Sequence, residues 1–372
     1  MQIERYMNLM VQKNASDLYF STGAPANIRV EGVTSPLGDH HITTSVMDAL
    51  LTEILSNEQR QEFDEKLEMN LGLSLKGVGR FRVNVYRQRG EPAMVIRYLK
   101  NYIPSIEELH LPSILRDLVM EQRGLVLVVG STGSGKSTSL ASMVDYRNEN
   151  QTGHILTIED PIEYTHHHKQ SIVDQREVGL DTLNYANALK NAMREAPDVI
   201  LIGEIRDHQT MKHAIAYAET GHLCLSTLHA NNANQALERI INFFPESTHT
   251  QLLTDLSVNL RAIISQRLVQ GVNGKRVPAV EVMINSLHVS DLIARGDIAG
   301  IKDAMEHSEI VGMRSFDQSL FSLYKQGKIT AQQAIDNADS KNNVHVKIRL
   351  DVGIDDADIS SLTLDAVDEA VD

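Results

Sequence analysis

Residues 130–137 read Gly-Ser-Thr-Gly-Ser-Gly-Lys-Ser, and this stretch decides the fold of the chain. It matches the phosphate-loop pattern G-x-x-x-x-G-K-[ST] in full. An apolar run at residues 125–129 precedes it, and a helical pattern at residues 136–147 follows it. A buried strand that leads through such a loop into a helix is the context that this pattern requires. The sequence therefore predicts a binding site for a nucleoside triphosphate.

The chemistry of the loop depends on its residue types. Glycines allow backbone N–H groups to curl around phosphate oxygens, and the start of a helix adds partial positive charge. Lys136 brings a full charge to the β- and γ-phosphates, and the Ser137 hydroxyl is a ligand for Mg²⁺. The predicted nucleotide-binding residues are Gly130, Ser131, Thr132, Gly133, Ser134, Gly135, Lys136, Ser137 and Thr138.

Further apolar runs indicate a parallel sheet around this loop. They lie at residues 154–158, 199–202 and 222–228, and helical patterns at residues 181–194 and 209–220 separate them. Strands that alternate with helices predict an α/β fold with crossover helices. A longer amphipathic pattern at residues 252–269 predicts one more helix.

The first hundred residues predict a separate, mixed α+β unit. Short strands are expected at residues 16–20 and 27–31, a helical pattern covers 44–67, and a hairpin follows. In the first hairpin strand Arg80 and Arg82 alternate with apolar residues, so the two arginines share one face.

These patterns divide the chain into five segments. We expect an N-terminal domain (1–100), a linker with a short helix (101–123), an ATPase core (124–285), a helical region (286–350) with strand signal only at 344–348, and an acidic tail (351–372). The tail carries eight acidic and no basic side chains, which favours a solvated, flexible segment over a partner-binding arm.

Carboxylates follow two of the predicted strands, where parallel sheets form their ligand sites. Glu204 ends the run at 199–202 and is the better candidate for Mg²⁺, although most such strands end in Asp. Glu159, Asp160 and Glu163 follow the run at 154–158 and compete for the role of activating water.

Histidines flank the next strand. His222 stands at the start of the run at 222–228 and His229 directly after its end, so we expect both to approach one edge of the nucleotide, with a purely structural role as the alternative. The adjacent histidines at residues 166–168 cannot all face one metal, which favours a surface loop over a metal site.

Composition limits the other classes of function. A net charge of −14 argues against a general nucleic-acid binder. Cys224 is the only cysteine, which excludes an intrachain disulfide and fits a reducing, cytoplasmic setting. The sequence has no apolar run long enough for a transmembrane helix, and its first residues do not resemble a secretory signal.

Four stretches, in order, resemble the signature boxes of secretion-superfamily ATPases. They are GSTGSGKST (130–138, Walker A), ILTIEDPIEY (155–164, Asp box), REAPDVILIGEIRD (194–207, Walker B) and TGHLCLSTLHANNA (220–233, His box). With SDLYFSTGAPANIRVEG and GRFRVNVYRQRG near the N-terminus, residues 1–340 resemble the type IV pilus retraction ATPases of the PilT/PilU type, which are motors of twitching motility.

The resemblance implies a PAS-like N-terminal domain, a RecA-like C-terminal domain and a homo-hexameric ring. ATP would lie between the N-terminal domain of one chain and the C-terminal domain of the next. Arg80 and Arg82 would reach the γ-phosphate, with Arg97 as a weaker candidate; the alternative is that these arginines only solvate a strand face.

The resemblance also assigns the catalytic residues. The family's catalytic glutamate corresponds to Glu163 and its Walker B glutamate to Glu204. Its signature histidines correspond to His222 and His229.

One departure separates this chain from the PilT branch. Where that branch has a segment resembling AIRNLIRE, residues 289–296 read VSDLIARG and lack its Asn and its final acidic residue. With the acidic tail, this resembles the PilU branch of accessory retraction ATPases. The implied partners are a second retraction ATPase and the inner-membrane pilus platform protein, with the chain cytoplasmic and peripheral to that membrane.

Two alternatives share the same core. A DNA-translocating or conjugation-type ring ATPase is disfavoured by the net charge and by the lack of a Lys/Arg-rich stripe. A non-catalytic, ATP-binding ring subunit is disfavoured by the intact Glu163 and Glu204.

Overall fold

Alternating apolar residues in the first hundred positions build an antiparallel sheet in the computed structural model, which describes residues 2–30, 32–99 and 102–352. Its strands are Asp17–Ser21 (β1), Pro25–Val30 (β2), Val33–His41 (β3), Glu68–Leu75 (β4), Gly79–Gln88 (β5) and Glu91–Leu99 (β6), in the order β3-β2-β1-β6-β5-β4. The helices of this part are Gln2–Gln12 (α1), Thr44–Ile54 (α2) and Asn57–Lys66 (α3).

The predicted alternation in β5 is confirmed, since Phe81, Val83 and Val85 are fully buried while Arg80 and Arg82 lie half-buried on the other face. The single helical pattern at residues 44–67 is two helices. Leu55 is extended between them, and a capping box from Ser56 starts the second. Strand β3 was not predicted, because its exposed, polar sequence has no apolar face.

The second part of the chain forms a seven-stranded sheet. Its strands are Gly124–Val129 (β7), Gly153–Glu159 (β8), Ser171–Glu177 (β9), Val199–Ile202 (β10), Leu223–Leu228 (β11), Leu260–Gln270 (β12) and Arg276–Ile284 (β13). Its helices are Ile114–Met120 (α4), Lys136–Asn150 (α5), Tyr185–Ala192 (α6), His208–Glu219 (α7), Ala233–Asn242 (α8) and His249–Asn259 (α9).

The strand order is β13-β12-β7-β11-β10-β8-β9, and each neighbouring pair is parallel except β12 with β13. Every residue of β7, β10 and β11 is buried, as expected for strands covered by helices on both faces. The predicted α/β class is therefore confirmed.

The helix predicted over residues 252–269 is wrong in its second half. Helix α9 ends at Asn259, and Leu260 begins β12, which runs parallel to β7. Ala262, Ile263 and Ile264 are consecutive and fully buried. Such a run fits a strand covered on both faces as well as a buried helix, so periodicity did not separate the two.

After β13 the described part of the chain forms helices joined by loops: Leu287–Arg295 (α10), Gly300–Glu306 (α11), Phe316–Lys325 (α12), Ala331–Asp336 (α13) and Lys341–Val352 (α14). The strand signal at 344–348 is wrong, because Val344 and Ile348 are buried one helical turn apart in α14. Of the predicted acidic tail, residues 353–372 lie outside the described residues. Within the described ranges, no helix combines the length and apolarity needed to cross a membrane.

Candidate active site

The phosphate loop joins the end of β7 to the start of α5. Gly135 takes a left-handed conformation, with φ of 92°, immediately before the first helical residue. The buried Lys136 turns its Nζ back onto the loop, where it donates to the carbonyls of Gly130 at 2.9 Å and Ser131 at 3.0 Å. Burial lowers the pKa of Lys136, while the charges of Glu204 and Glu163 oppose that shift. Both carboxylates therefore act electrostatically on the loop lysine.

Gln266 of β12 supports the loop from behind, and the sequence did not identify it. Its Oε1 accepts a hydrogen bond from Ser139 Oγ at 2.6 Å. A Cβ at Gly130 would lie 2.5 Å from the Gln266 carbonyl, and one at Gly135 would lie 2.8 Å from Gln266 Nε2. Close approach to backbone therefore requires glycine at position 130, and the left-handed φ of 92° favours glycine at position 135.

A cavity of about 470 Å³ opens in front of the loop and collects most of the predicted residues. Lys136, Ser137, Glu163, Glu204 and His229 all line it. They come from the carboxyl ends of β7, β8, β10 and β11, which parallel pairing brings to one edge of the sheet.

Glu204 is held on both of its carboxylate oxygens. Arg206 Nε donates to Oε2 at 2.7 Å, and His229 Nε2 lies 3.0 Å from Oε1. Glu204 is largely buried, whereas Arg206 is mostly exposed. Arg206 was not predicted as a site residue, although it follows Glu204 by two residues.

Glu159 is less exposed than Glu163, although both line the cavity. Burial raises the pKa of Glu159 to about 7, against the opposing effect of hydrogen bonds from Thr157 at 2.7 Å and Gln175 at 3.3 Å. The side chain of Glu163, by contrast, is exposed to the cavity. A general base must reach the attacking water, and a carboxylate exposed to the cavity can do so.

The prediction of a surface loop for the three histidines is wrong for His166, although His167 and His168 are exposed. His166 is buried beside the cavity, and burial lowers its pKa to about 4. Its Nδ1 has no hydrogen-bond partner in the described part of the chain. Tyr164, two residues earlier, hydrogen-bonds to Thr138 at 2.8 Å and ties this loop to α5.

The expectation that His222 and His229 approach one edge of the nucleotide is wrong within a single chain. His222 precedes Leu223, the first residue of β11, and His229 follows Leu228, the last. Six strand residues span about 20 Å, so His222 lies at the opposite edge of the sheet, where its Nδ1 approaches the Thr220 hydroxyl at 3.1 Å. A role for His222 in catalysis stays a prediction.

Arg80 and Arg82 do not line the cavity of their own chain. Their charges act on the buried Glu177 at the end of β9, whose pKa burial raises and these arginines lower. Because the resemblance places them against the nucleotide of a neighbouring chain, their role as γ-phosphate ligands stays a prediction.

The oxygen donors of the cavity suit Mg²⁺ bound together with a nucleotide. Among the described residues, no three His, Cys, Asp or Glu side chains converge on one point that would hold a metal alone. The Ser137 hydroxyl and the Glu204 carboxylate nevertheless line the same cavity as Lys136. Mg²⁺ is commonly held by one or two such ligands plus substrate phosphates, so these residues fit the ion.

Proteins of similar sequence are named as ATPases, which agrees with the nucleotide-binding residues of the cavity. The family described as "Type II/IV secretion system protein" matches residues 1–341. The chain is 49% identical to the type IV pilus ATPase PilU of Pseudomonas aeruginosa, over 98% of this chain and 95% of that one. It is 38% identical to the retraction ATPase PilT of the same organism, over 92% of this chain and 100% of that one.

Comparison with solved structures gives the same result for the fold. The crystal structure of the pilus retraction motor PilT with bound ADP superposes with a TM-score of 0.85 at 40% identity, over 91% of this chain and 97% of that one. The ATPase DotB of Legionella pneumophila superposes with a TM-score of 0.74 at 25% identity, over 90% and 94% of the two chains.

Proposed function

The chain belongs to the type II/IV secretion system protein family, and from that premise we propose that it is an ATP-hydrolysing motor of type IV pilus retraction. The observation that carries the proposal is the convergence of Lys136, Ser137, Glu163 and Glu204 on one cavity. The identity to the type IV pilus ATPase PilU over nearly the whole chain and the identity to the retraction ATPase PilT support the retraction function. The higher identity to PilU favours the accessory branch that the resemblance implies.

In this proposal ATP is hydrolysed by in-line attack of water on the γ-phosphate. Glu163 takes a proton from the attacking water, the new P–O bond forms, and the bond to the β–γ bridging oxygen breaks to release ADP. Lys136 and the N–H groups of the phosphate loop stabilise the charge that develops on the phosphate oxygens. Ser137 and Glu204 would hold Mg²⁺, which when bound neutralises phosphate charge.

We further propose that the chain works as a homo-hexamer. Arg80 and Arg82 do not line their own chain's cavity, and their half-buried face on β5 leaves them available to a neighbouring chain's nucleotide. A cationic ligand supplied across a subunit boundary would couple hydrolysis to movement between domains. The proposed partners are a second retraction ATPase and the pilus platform protein, on the cytoplasmic side of the inner membrane.

The test is ATP turnover as a function of protein concentration, with sizing in parallel, for the wild type and Glu163→Gln. Turnover per chain is expected to rise steeply with assembly and to fall at least 100-fold in Glu163→Gln, within the range for loss of a general base. Glu219→Gln, which changes an exposed glutamate of α7, is the matched control.

Three outcomes would contradict the proposal. Tight ATP binding without turnover in the wild type would indicate a non-catalytic ring subunit. Stimulation of turnover by duplex DNA would support a DNA-translocating ATPase. Pilus retraction that stays at the wild-type level in cells carrying Glu163→Gln would show that hydrolysis by this chain contributes nothing to it.

A further inference from the structure

Gln175 of β9 makes three side-chain hydrogen bonds to residues 159–166, which are the end of β8 and the loop that carries Glu163. Its Nε2 donates to the Tyr164 carbonyl at 2.9 Å and to Glu159 Oε1 at 3.3 Å. Its Oε1 accepts a hydrogen bond from the backbone N–H of His166 at 2.8 Å. One side chain thus bonds to Glu159 before Glu163 in the chain, and to Tyr164 and His166 after it.

The strand register explains this arrangement. Strands β8 and β9 are parallel, with Thr157 opposite Gln175 and Glu159 opposite Glu177. Alternate residues of a strand point to the same face of the sheet. Gln175 therefore stands beside Thr157, and both reach the same oxygen of Glu159, with the Thr157 hydroxyl at 2.7 Å.

The side chain of Glu163 has no comparable support of its own. Within the described residues its carboxylate makes no hydrogen bond or ion pair, and its backbone N–H bonds to Glu159. The position of the carboxylate in the cavity therefore depends on the backbone of residues 159–166. Gln175 fixes that backbone at Tyr164 and His166, and Glu177 adds a bond from the Ile162 N–H at 3.2 Å.

We propose that Gln175 is a positioning residue for catalysis, which holds residues 159–166 so that Glu163 faces the phosphate end of the cavity. This inference rests on the proposed ATPase function. Gln175 does not line the cavity, whereas Lys136 and Ser137 do. Its loss therefore acts on the chemical step and leaves nucleotide binding by the phosphate loop intact.

The test compares Gln175→Met, which keeps side-chain length but removes every hydrogen bond, with Gln170→Met. Gln170 is exposed and bonds to its surroundings through its backbone N–H. The measurements are kcat for ATP, the Kd for a fluorescent ADP analogue, and the thermal unfolding midpoint. We expect kcat to fall at least tenfold in Gln175→Met with Kd within twofold of wild type, and no change in Gln170→Met.

A second variant and a double variant sharpen the test. Gln175→Glu keeps an oxygen for the His166 N–H but loses the donor to Tyr164 and Glu159, so the same loss of kcat is expected even if Gln175→Met fails to fold. Because Gln175 acts through Glu163, adding Gln175→Met to Glu163→Gln should lower turnover no further.

Unchanged kcat in Gln175→Glu, a parallel weakening of nucleotide binding, or a further loss of turnover in the double variant would overturn the inference. A wild type that binds ADP but hydrolyses no ATP would overturn the proposed function and this inference together. That result is distinct from an active wild type with active Gln175 variants.

Discussion

The imidazole of His229 lies against the carboxylate of Glu204, with Nε2 3.0 Å from Oε1. Glu204 follows the carboxyl end of β10, and His229 follows the carboxyl end of β11. These two strands are adjacent and parallel, which brings the two side chains together. Arg206 occupies the other carboxylate oxygen. The orientation of Glu204 in the cavity is therefore fixed by two side chains as well as by its own strand.

We expect His229→Ala to lower kcat about tenfold while ADP still binds. The reason is that Glu204 loses the side chain that lies against one of its oxygens, and removing a residue that orients a metal ligand typically costs about 10- to 100-fold in activity. Steady-state kinetics with a fluorescent-ADP titration measures both quantities. His307→Ala, an exposed histidine of the C-terminal helical region, is the control, and equal kcat in the two variants would contradict the prediction.

Lys136→Ala is expected to weaken nucleotide binding at least tenfold and to abolish measurable turnover. The buried ammonium is the cation that the phosphate loop itself brings to the cavity, and it stabilises charge in both the ground and the transition state. The control is Lys169→Ala. Lys169 also bonds to α5, at Asp145 and Glu149, but it lies outside the phosphate loop. Full hydrolysis by Lys136→Ala would show that the loop is not the catalytic site.

Gly130→Ala is expected to weaken ADP binding at least tenfold and to destabilise the fold by roughly 1–3 kcal/mol, the usual cost of forcing an atom into a packed site. The new Cβ would meet the Ser134 hydroxyl and lie 2.5 Å from the Gln266 carbonyl, and the carbonyl belongs to the backbone of β12, which resists movement. Gly274→Ala adds its Cβ into open space at a left-handed position, so it should cost only about 1–2 kcal/mol and leave ADP binding unchanged. Equal ADP affinities in the two variants would refute the argument from close approach.

The phosphate loop and its acidic partners were predictable because each follows an apolar run that can only be a buried strand in this context. Lys136, Glu163 and Glu204 needed no tertiary information beyond the rule that parallel strands end at one edge. The same rule could have separated His222 from His229, since one precedes its strand and the other follows it.

The supporting residues were not predictable by the same means. Gln266 lies in a run that also fits a helix, and Gln175 lies in an edge strand whose second half, Asp-Gln-Arg-Glu, has no apolar alternation. His166 is buried because its loop packs against α5, where Asn148 donates to the His167 carbonyl at 2.7 Å. Such contacts depend on tertiary packing, which leaves no periodic signal in the sequence.

Glu281 of β13 gives a prediction about stability and pH that is independent of ATP. Its carboxyl is buried, accepts hydrogen bonds from the Ala233 N–H at 2.8 Å and the Ser265 hydroxyl at 3.0 Å, and lies near Asp339 and Arg267. Burial raises its pKa from 4.5 to about 7, with Asp339 adding to the shift and Arg267 opposing it.

Because the pKa of Glu281 is higher in the folded chain, the folded state binds more protons than the unfolded state between the two pKa values. The stabilisation from its proton is complete below the unfolded pKa and is lost as the pH rises through about 7. Glu281→Gln keeps the acceptor oxygen without the charge, so it should gain roughly 2–3 kcal/mol over wild type in unfolding free energy between pH 5 and pH 8. Urea denaturation at several pH values measures this difference. Glu159 and His166 also have shifted pKa values, but their effects on stability cancel in the difference because wild type and Glu281→Gln both carry them. Glu309→Gln, an exposed carboxyl, should follow the wild-type curve, and parallel curves for Glu281→Gln and wild type would show that Glu281 is not protonated in the folded chain near neutral pH.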